Sequence, residues 1–349
     1  MPEIPFIVTV DTEGDDLWAG PREITTHNAR FLPRFQALCE RFRLKPVYLT
    51  NYEMATSDVF AELARDVIAR GAGEIGMHLH AWNSPPLEPL TTDDFYHQPY
   101  LTEYPEPVMK RKIETLTAIL EERFCQKMIS HRGGRWAFDR RYAAILFDAG
   151  YRVDCSVTPG ISWRASAGAP AGRGGPDYTA FPRRPYFLDS SDISSPASEG
   201  LLEVPVTSRA SDLYRAAPWL YDVRVVRRFA YRASPAVSLL SPVQPALRAP
   251  VDRHLAAMVS LARKARTEQT PYLEFIVHSS ELMPGGSPTF RSESDIERLY
   301  EHLELLFEEQ STWCYGATLA EFHRLCTSSI AHPDREGPGK VWSEAEGRA

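Results

Sequence analysis

The sequence lacks several features that would place the chain in other protein classes. Its cysteines are few, odd in number and without CxxC spacing: Cys39, Cys125, Cys155, Cys314 and Cys326. This usage is typical of reduced thiols rather than of a disulfide framework, and it predicts a cytoplasmic protein. A basic excess is also absent, since 39 lysines and arginines face 46 aspartates and glutamates. Nucleic acid is therefore excluded as a general partner, because nothing neutralises its phosphates.

Long apolar runs are missing as well. No stretch reaches the roughly 18 apolar residues of a transmembrane helix. Residues 1–14 have no basic segment leading into an apolar one, so we expect no signal peptide. Ser279 and Ser280 lack the Gly-x-Ser-x-Gly pattern of a nucleophilic serine, which makes a serine hydrolase a poor interpretation.

What the sequence does have is a regular alternation of short β-rich runs with helix-period segments. The runs rich in β-branched and aromatic residues predict strands at 5–10, 45–50, 74–80, 127–131, 151–157, 201–206 and 272–278. Between them, apolar residues at helical spacing predict helices at 28–42, 58–71, 107–124, 139–150, 251–266 and 292–310. Seven strands with intervening helices predict an α/β protein with a parallel sheet, either closed as a barrel or open.

Long interruptions break this alternation at 83–106, 159–200 and 208–250. Loops of such length inside a compact domain commonly cover active sites, and we expect the first two at the mouth of the sheet. We predict one catalytic domain over residues 1–326 that carries these insertions. Residues 327–349 are polar and rich in glycine and charge, and they predict a disordered tail.

Ionisable residues gather at the carboxyl ends of the predicted strands, where parallel α/β proteins place their chemistry. They belong to five strands: Asp11 and Glu13, His78 and His80, Arg132, Asp154, and His278. Within the first two pairs the spacing is i, i+2, so both side chains of a pair point to one face of a strand. A set of this size is more than scattered surface charge would give.

The types of residue in this set suit a metal-dependent hydrolase. Glu13, His78 and His80 supply one carboxylate and two imidazoles, a ligand set that leaves zinc an open position for water. Asp11 would accept the proton of that water, and His278 would protonate the leaving group. Arg132 would hold Asp11 by a charge-assisted hydrogen bond and keep it ionised.

The segments TVDTEG, EIGMHLHAW, HRGGRW, YRVDCSV and FIVHSSE resemble, in this order, the five motifs of the polysaccharide deacetylases, carbohydrate esterase family four. The resemblance spans about residues 5–325. It implies a distorted (β/α)7 barrel that removes acyl groups from N-acylated sugars with a divalent metal. It also implies that Asp11 is the base, Glu13 and His78 are metal ligands, and His278 is the acid. Asp154 would be a supporting acid, near enough to raise the pKa of His278.

The chain departs from this family at three points. The second metal histidine of the family stands four residues after the first, where this chain has Trp82, so His80 takes its place. Glu13 is longer than the usual aspartate, which leaves Asp11, Asp15 or Asp16 as alternative ligands. The third motif reads HRGGRW, so either Arg132 or Arg135 could orient the base. Arg135 and the stacking surfaces of Trp82 and Trp136 are the expected substrate contacts.

The sequence therefore predicts a cytoplasmic, metal-dependent amidohydrolase. We expect it to remove an acetyl group from an amino sugar of a polysaccharide, or of a nucleotide- or lipid-linked precursor. Water activated by the metal would attack the amide carbon. Zinc is the expected ion, with Co, Mn, Ni or Fe as alternatives. HLHAW and GGRW resemble a divergent branch associated with bacterial surface-polysaccharide assembly. The competing interpretations are a catalytically silent carbohydrate-binding member of the same fold, and an O-deacetylase or deformylase.

Overall fold

The computed structural model describes most of the chain. The described residues are 4–166, 168, 174–207, 209–210, 243–244, 247–249, 252–268 and 270–331. Most of the predicted insertion at 208–250 lies outside these ranges, as do residues 167 and 169–173 of the preceding insertion. Residues 327–331 of the predicted tail belong to the helix Leu319–Ala331, so disorder is the wrong prediction for them. Residues 332–349 lie outside the described ranges, and their disorder stays a prediction.

Thirteen strands are assigned within the described ranges. They are β1 Ile4–Thr12, β2 Pro46–Thr50, β3 Glu74–Leu79, β4 Ser130–Gly133, β5 Val153–Asp154, β6 Tyr186–Leu188, β7 Pro196–Ala197, β8 Leu202–Glu203, β9 Arg209–Ala210, β10 Val243–Gln244, β11 Leu247–Arg248, β12 Leu273–His278 and β13 Cys314–Gly316. All seven predicted strands are present, although two of them retain only two ladder residues.

The α-helices alternate with these strands. They are α1 Leu32–Arg41, α2 Tyr52–Thr56, α3 Asp58–Arg70, α4 Asp94–His97, α5 Glu106–Phe124, α6 Arg140–Asp148, α7 Asp252–Thr267, α8 Glu293–Ser311 and α9 Leu319–Ala331. Short 3-10 turns add Leu17–Ala19, His27–Phe31, Leu101–Glu103, Gly134–Trp136 and Ser279–Leu282. None of the described helices combines the length and the apolar character that crossing a bilayer requires.

Local sequence explains where the predicted helices begin and end. Helix α3 ends at Gly71, whose φ of +60° is a left-handed conformation that glycine adopts without steric cost. Helix α8 begins after Ser292, whose side chain accepts from the Asp295 N–H while Asp295 reaches back in a capping box. Pro33 lies in the first turn of α1, after a 3-10 turn rather than inside a continuous helix.

Seven parallel strands form a curled sheet in the order β12–β1–β2–β3–β4–β5–β8. The chain after β8 reaches β12 through two hydrogen bonds. The Glu274 N–H donates to Thr207 Oγ1 at 2.9 Å, and the Tyr272 hydroxyl donates to the Pro205 carbonyl. The sheet is thus a distorted barrel, and the predicted fold class is confirmed.

The two faces of the curled sheet carry different side chains. The inner face is a small apolar cluster of Ile7, Val47, Leu49, Val153, Cys155, Leu202, Val204 and Tyr272, which helix α9 covers with Leu319 and Phe322. The outer face packs on helices as a much larger cluster that includes Phe6, Val8 and Val10. Because strand residues alternate between faces, Thr9 and Asp11 share the inner face with Ile7.

Candidate active site

A cavity of about 350 Å³ lies at the carboxyl ends of the parallel strands. Its lining brings together nine of the ten predicted site residues with four others: Asp11, Glu13, Leu17, Trp18, His78, His80, Trp82, Gln98, Arg132, Gly133, Arg135, Trp136 and His278. Strand register explains part of this convergence, since Asp11 of β1 pairs with His278 of β12 and His78 of β3 pairs with Arg132 of β4.

Glu13, His78 and His80 form a buried group whose ligand atoms all lie within 4.8 Å of one another. Glu13 Oε2 is 2.9 Å from His80 Nε2 and 3.5 Å from His78 Nε2, and the two imidazole nitrogens are 3.1 Å apart. Ligand atoms 2.0–2.1 Å from a tetrahedral zinc would be about 3.3 Å apart. The three separations therefore fit one small divalent ion.

The outer nitrogens of the two histidines support the same arrangement. His78 Nδ1 lies 3.0 Å from the Arg132 carbonyl, so it donates its N–H there and leaves the lone pair of Nε2 facing Glu13. Metal-binding histidines commonly have their outer N–H held in this way. His80 Nδ1 is buried and has no hydrogen-bond partner among the described residues. Zinc bound through Nε2 requires neutral imidazoles, and burial lowers the pKa of His80 despite the neighbouring Glu13.

The other carboxylates of the first motif are held elsewhere. Asp11 Oδ1 accepts from Arg132 Nη1 at 2.6 Å, and both side chains are almost fully buried. Asp15 is taken up by a loop, where it accepts from Thr25 and from the backbone N–H groups of His27 and Asn28. Neither Asp11, Asp15 nor Asp16 joins the ligand group found among the described residues.

Arg132, and not Arg135, contacts the predicted base. The Arg135 guanidinium lies over the Tyr100 ring at 4.1 Å and donates to the Gln98 carbonyl. The alternative in which Arg135 orients the base is therefore wrong for this arrangement. Arg135 instead forms part of the cavity wall with Trp136.

His278 lies between the two carboxylates of the first motif. Its Nδ1 is 2.7 Å from Glu13 Oε1, and its Nε2 is 3.9 Å from Asp11 Oδ2. Its backbone N–H donates to Glu281 at 2.9 Å, which fixes the end of β12. Burial lowers the pKa of His278, but the opposing effects of Glu13, Asp11 and Glu281 are larger together and raise it to about 9. Its imidazole is therefore protonated at neutral pH in this arrangement.

Asp154 does not lie where the sequence predicted. It pairs in register with His131, and its Oδ2 is 2.5 Å from His131 Nδ1. The His131 ring contacts Tyr142 of helix α6, so this pair is on the outer face of the sheet. The expectation that Asp154 raises the pKa of His278 is wrong, because strand alternation turns Asp154 away from the inner face that Val153 and Cys155 occupy. Glu13 is the carboxylate that contacts His278.

The carboxyls of Asp11 and Glu13 both have pKa values below their usual range, so both are ionised at neutral pH. Burial raises the pKa of Asp11, but the charges of Arg132, His78 and His278 outweigh it and leave the pKa below its usual range. Burial opposes ionisation of Glu13 too, and its contacts with His278, His78 and His80 hold its pKa well below the usual range. A carboxylate that stays ionised can act as a metal ligand or accept a proton.

The turn after β4 shapes one wall of the cavity. Arg135 and Trp136 both have positive φ, +57° and +62°, a region that costs non-glycine residues roughly 1–3 kcal/mol each. This turn brings the Trp136 ring over the Arg132 guanidinium at 5.4 Å. Strain of this kind is typical of functional sites, where the surrounding structure imposes it.

The first two insertions reach this wall. Residues 83–106 bring Gln98 into the cavity lining. Residues 159–200 bring Trp163, which stacks on Trp136 with ring centroids 6.4 Å apart and planes 16° apart. The Tyr178 hydroxyl donates to the Trp136 carbonyl at 2.6 Å. The first segment therefore contributes to the cavity lining, and the second packs on Trp136, which also lines the cavity.

Three residues at or below the cavity were not predicted from the sequence. Trp18 is 45% exposed, and its ring meets that of His278 edge-on, with centroids 4.9 Å apart. Gln98 lines the same cavity. Glu274 is fully buried and hydrogen-bonded to Arg132. An aromatic residue soon after DTEGDD, and an acid at even spacing before His278, were the available signals.

Comparison with known proteins finds similarity in structure alone. No protein-family model matches the chain, and no curated protein sequence matches it. A putative glycoside hydrolase/deacetylase from Parabacteroides distasonis is similar in structure, with a TM-score of 0.57 and 10% identity. The alignment covers 96% of this chain and 73% of that one.

Two further structures are similar at lower scores. A putative polysaccharide deacetylase from Mycobacterium smegmatis has a TM-score of 0.49 and 14% identity over 94% of this chain and 93% of its own. A 4-alpha-glucanotransferase from Thermococcus litoralis has a TM-score of 0.48 and 15% identity over 92% of this chain. This chain spans only 40% of the glucanotransferase. At these identities a likeness shows the fold and not the activity. The expected resemblance to polysaccharide deacetylases is confirmed at the level of the fold: the chain folds as a deacetylase-like distorted barrel.

Proposed function

We propose that this protein is a metal-dependent carbohydrate deacetylase that removes an N-linked acetyl group from an amino sugar. The observation that carries the proposal is the buried ligand group of Glu13, His78 and His80, whose separations of 2.9, 3.1 and 3.5 Å suit one zinc ion. When bound, such an ion lowers the pKa of water and polarises a carbonyl oxygen. The likeness in fold to a putative glycoside hydrolase/deacetylase supports the same reaction class.

The residues around the ligand group suit the proton transfers of amide hydrolysis. Asp11 is ionised and held by Arg132, so its free oxygen can take a proton from the attacking water. The Nε2 of His278 faces the cavity near Asp11, so a protonated His278 would be able to give a proton to the departing amine.

The cavity wall suits a sugar. Trp82, Trp136 and Trp18 present indole surfaces around the mouth, and Arg135 and Gln98 add polar groups. Aromatic rings provide apolar contact area with few rotamers to immobilise, while the polar groups fix orientation. The substrate would be an amino sugar in a polysaccharide or in its nucleotide- or lipid-linked precursor.

Metal analysis combined with product analysis tests this proposal. We expect about one divalent ion per chain, and release of acetate from N-acetylated amino sugars in preference to O-acetylated ones. His78→Ala should lose most of the metal, because two ligands hold zinc poorly. His27→Ala is the matched control, since that histidine is largely exposed and lies outside the ligand group.

A second variant separates metal binding from chemistry. Asp11→Asn should keep the ion and lose most of the activity, by roughly 10²–10⁴-fold, because an amide cannot accept the proton. If Asp11→Asn strips the metal, Asp11 is itself a ligand and the proposed roles are reversed. If the wild type holds metal and hydrolyses no acyl sugar, the proposed reaction is wrong and the carbohydrate-binding alternative is favoured. Acetate release confined to O-acetylated sugars, or release of formate instead, would identify one of the other hydrolases.

A further inference from the structure

Arg132 is a fully buried arginine that is held from two sides. Its Nη1 donates to Asp11 at 2.6 Å, which is the contact with the proposed base. Its Nη2 donates to Glu274 and, at 3.0 Å, to Thr9 Oγ1. Its Nε donates to the Cys155 carbonyl at 3.1 Å. Three of the four contacts have no part in binding substrate, and together they fix the direction of the guanidinium.

Glu274 occupies the layer of the barrel directly below the site. It precedes His278 by four residues on β12, so the two side chains share the inner face. Thr9 lies two residues before Asp11 on β1 and donates its hydroxyl to Glu274 at 3.2 Å. Asp11 and His278 therefore form an upper layer, while Thr9 and Glu274 form a lower layer against the same guanidinium.

Charge makes the presence of Glu274 costly. The charge of Asp11 already balances that of Arg132. The buried carboxyl of Glu274 therefore has no second cation to balance it, and burying it as a carboxylate costs free energy. Burial raises the pKa of Glu274 to about 7, although the Arg132 charge opposes this. Its second oxygen, Oε2, has no hydrogen-bond partner among the described residues. Glu203 is a buried acid with an orphaned Oε2 as well, so the feature that distinguishes Glu274 is its direct hydrogen bond from Arg132.

We propose that Glu274 is a positioning residue that fixes Arg132 in the orientation in which Nη1 holds Asp11. This inference rests on the proposed function, because Asp11 is the base in that reaction. Without Glu274, Nη2 would keep only the neutral hydroxyl of Thr9, and the guanidinium could rotate toward other acceptors. Asp11 would then lose its fixed direction. Small misplacements of a reacting group cost up to about 100-fold in rate.

The test compares Glu274→Leu and Glu274→Gln in the metal-loaded full chain, with acetate release from an N-acetylglucosamine oligomer as the assay. We expect Glu274→Leu to lower kcat by about 10- to 100-fold, with KM changed less than about twofold and metal content unchanged. Glu274→Gln keeps an oxygen for Nη2 and for Thr9, so it should recover most of the lost kcat.

Glu203→Gln is the matched control. Glu203 is equally buried, on strand β8, and it accepts from the Val157 N–H at 3.0 Å. Burial and the nearby Asp154 raise its pKa well above the usual range, so the amide replaces a neutral carboxyl. Its kcat should equal that of the wild type. A fall in kcat as large as that of Glu274→Leu would mean that any buried acid matters, and the inference would be lost.

Crystal structures of the wild type and of Glu274→Leu give a second, independent readout. We expect the distance from Arg132 Nη1 to Asp11 Oδ1 to exceed about 3.5 Å in the variant, beyond hydrogen-bond range. An unmoved guanidinium together with a full kcat would overturn the inference. If the wild type releases no acyl group, the proposed function fails, and the Arg132 position alone then decides whether Glu274 positions that side chain.

Discussion

Lys112 ties a segment of the cavity mouth to the barrel, and its charge should make stability depend on pH. It lies in helix α5 and is almost completely buried. Its ammonium donates to the Ser84 carbonyl at 2.8 Å and to the Pro86 carbonyl at 2.7 Å, at the start of the segment that carries Gln98. Burial lowers the pKa of Lys112 from 10.5 to about 8, against the opposing charges of Glu88 and Asp94.

The size and sign of the effect follow from these two pKa values. Below pH 8, Lys112 carries a proton in both the folded and the unfolded chain, and the folded chain bears the full penalty of the buried charge. As the pH rises from 8 toward 10.5, the folded chain releases this proton first, so the free energy of unfolding increases. Between pH 7 and pH 10 the gain is about 2.5 kcal/mol. The neutral amine still has two N–H groups for its two carbonyl partners.

Lys112→Met removes this pH dependence. We expect the difference in unfolding free energy between wild type and Lys112→Met to grow by about 2.5 kcal/mol in favour of the wild type between pH 7 and pH 10. Urea unfolding followed by tryptophan fluorescence measures it. The control is Lys110→Met on the same helix, because the Lys110 side chain is 62% exposed and should add no such change. Parallel pH profiles for wild type and Lys112→Met would refute the reasoning.

Three further predictions concern the site. Trp18→Ala should raise KM for an amino sugar about 3- to 10-fold and change kcat little, because the exposed indole beside His278 offers contact area to the sugar. Steady-state kinetics measures this, with Tyr96→Ala, which removes another exposed aromatic ring, as the control. Gly134→Ala should weaken zinc binding, because the new Cβ would lie 2.7 Å from His80 Cγ; calorimetry showing wild-type affinity would contradict it. Removing the ion with a chelator should lower the Tm of the wild type, because an ion that binds only the folded chain stabilises it. The same treatment should lower the Tm of His78→Ala much less. An equal fall in Tm in both proteins would contradict the assignment of His78 as a ligand.

The sequence by itself determined the order of the seven parallel strands and of the six helices predicted between them. Runs of β-branched residues alternate with segments whose apolar residues recur at helical spacing. Both signals are local, so they can be read from the order of residues alone. It also indicated that Glu13, His78 and His80 would converge, because they follow strand ends at even spacing. Side chains at such positions share a face, and the carboxyl ends of parallel strands meet at one edge.

Only the tertiary structure decided which strand face each remaining charge occupies. Asp154 was expected beside His278, but β5 has only two ladder residues, and nothing in so short a strand shows which face is inner. Packing against helix α6 turns Asp154 toward His131 and Tyr142 instead. The choice between Arg132 and Arg135 was likewise made by the left-handed turn after β4, which sends the second arginine toward Tyr100.

The hydrogen bonds from Arg132 to Asp11 and Glu274 could not be predicted from the sequence either. Glu274 stands 142 positions from Arg132, and Asp11 stands 121 positions away on the other side. Each is an ordinary acid in its own strand. Curling of the sheet brings β12 and β1 across the barrel from β4, and burial there turns three separate charges into one coupled group. Burial and distance set the strength of that coupling, and both are properties of the folded chain alone.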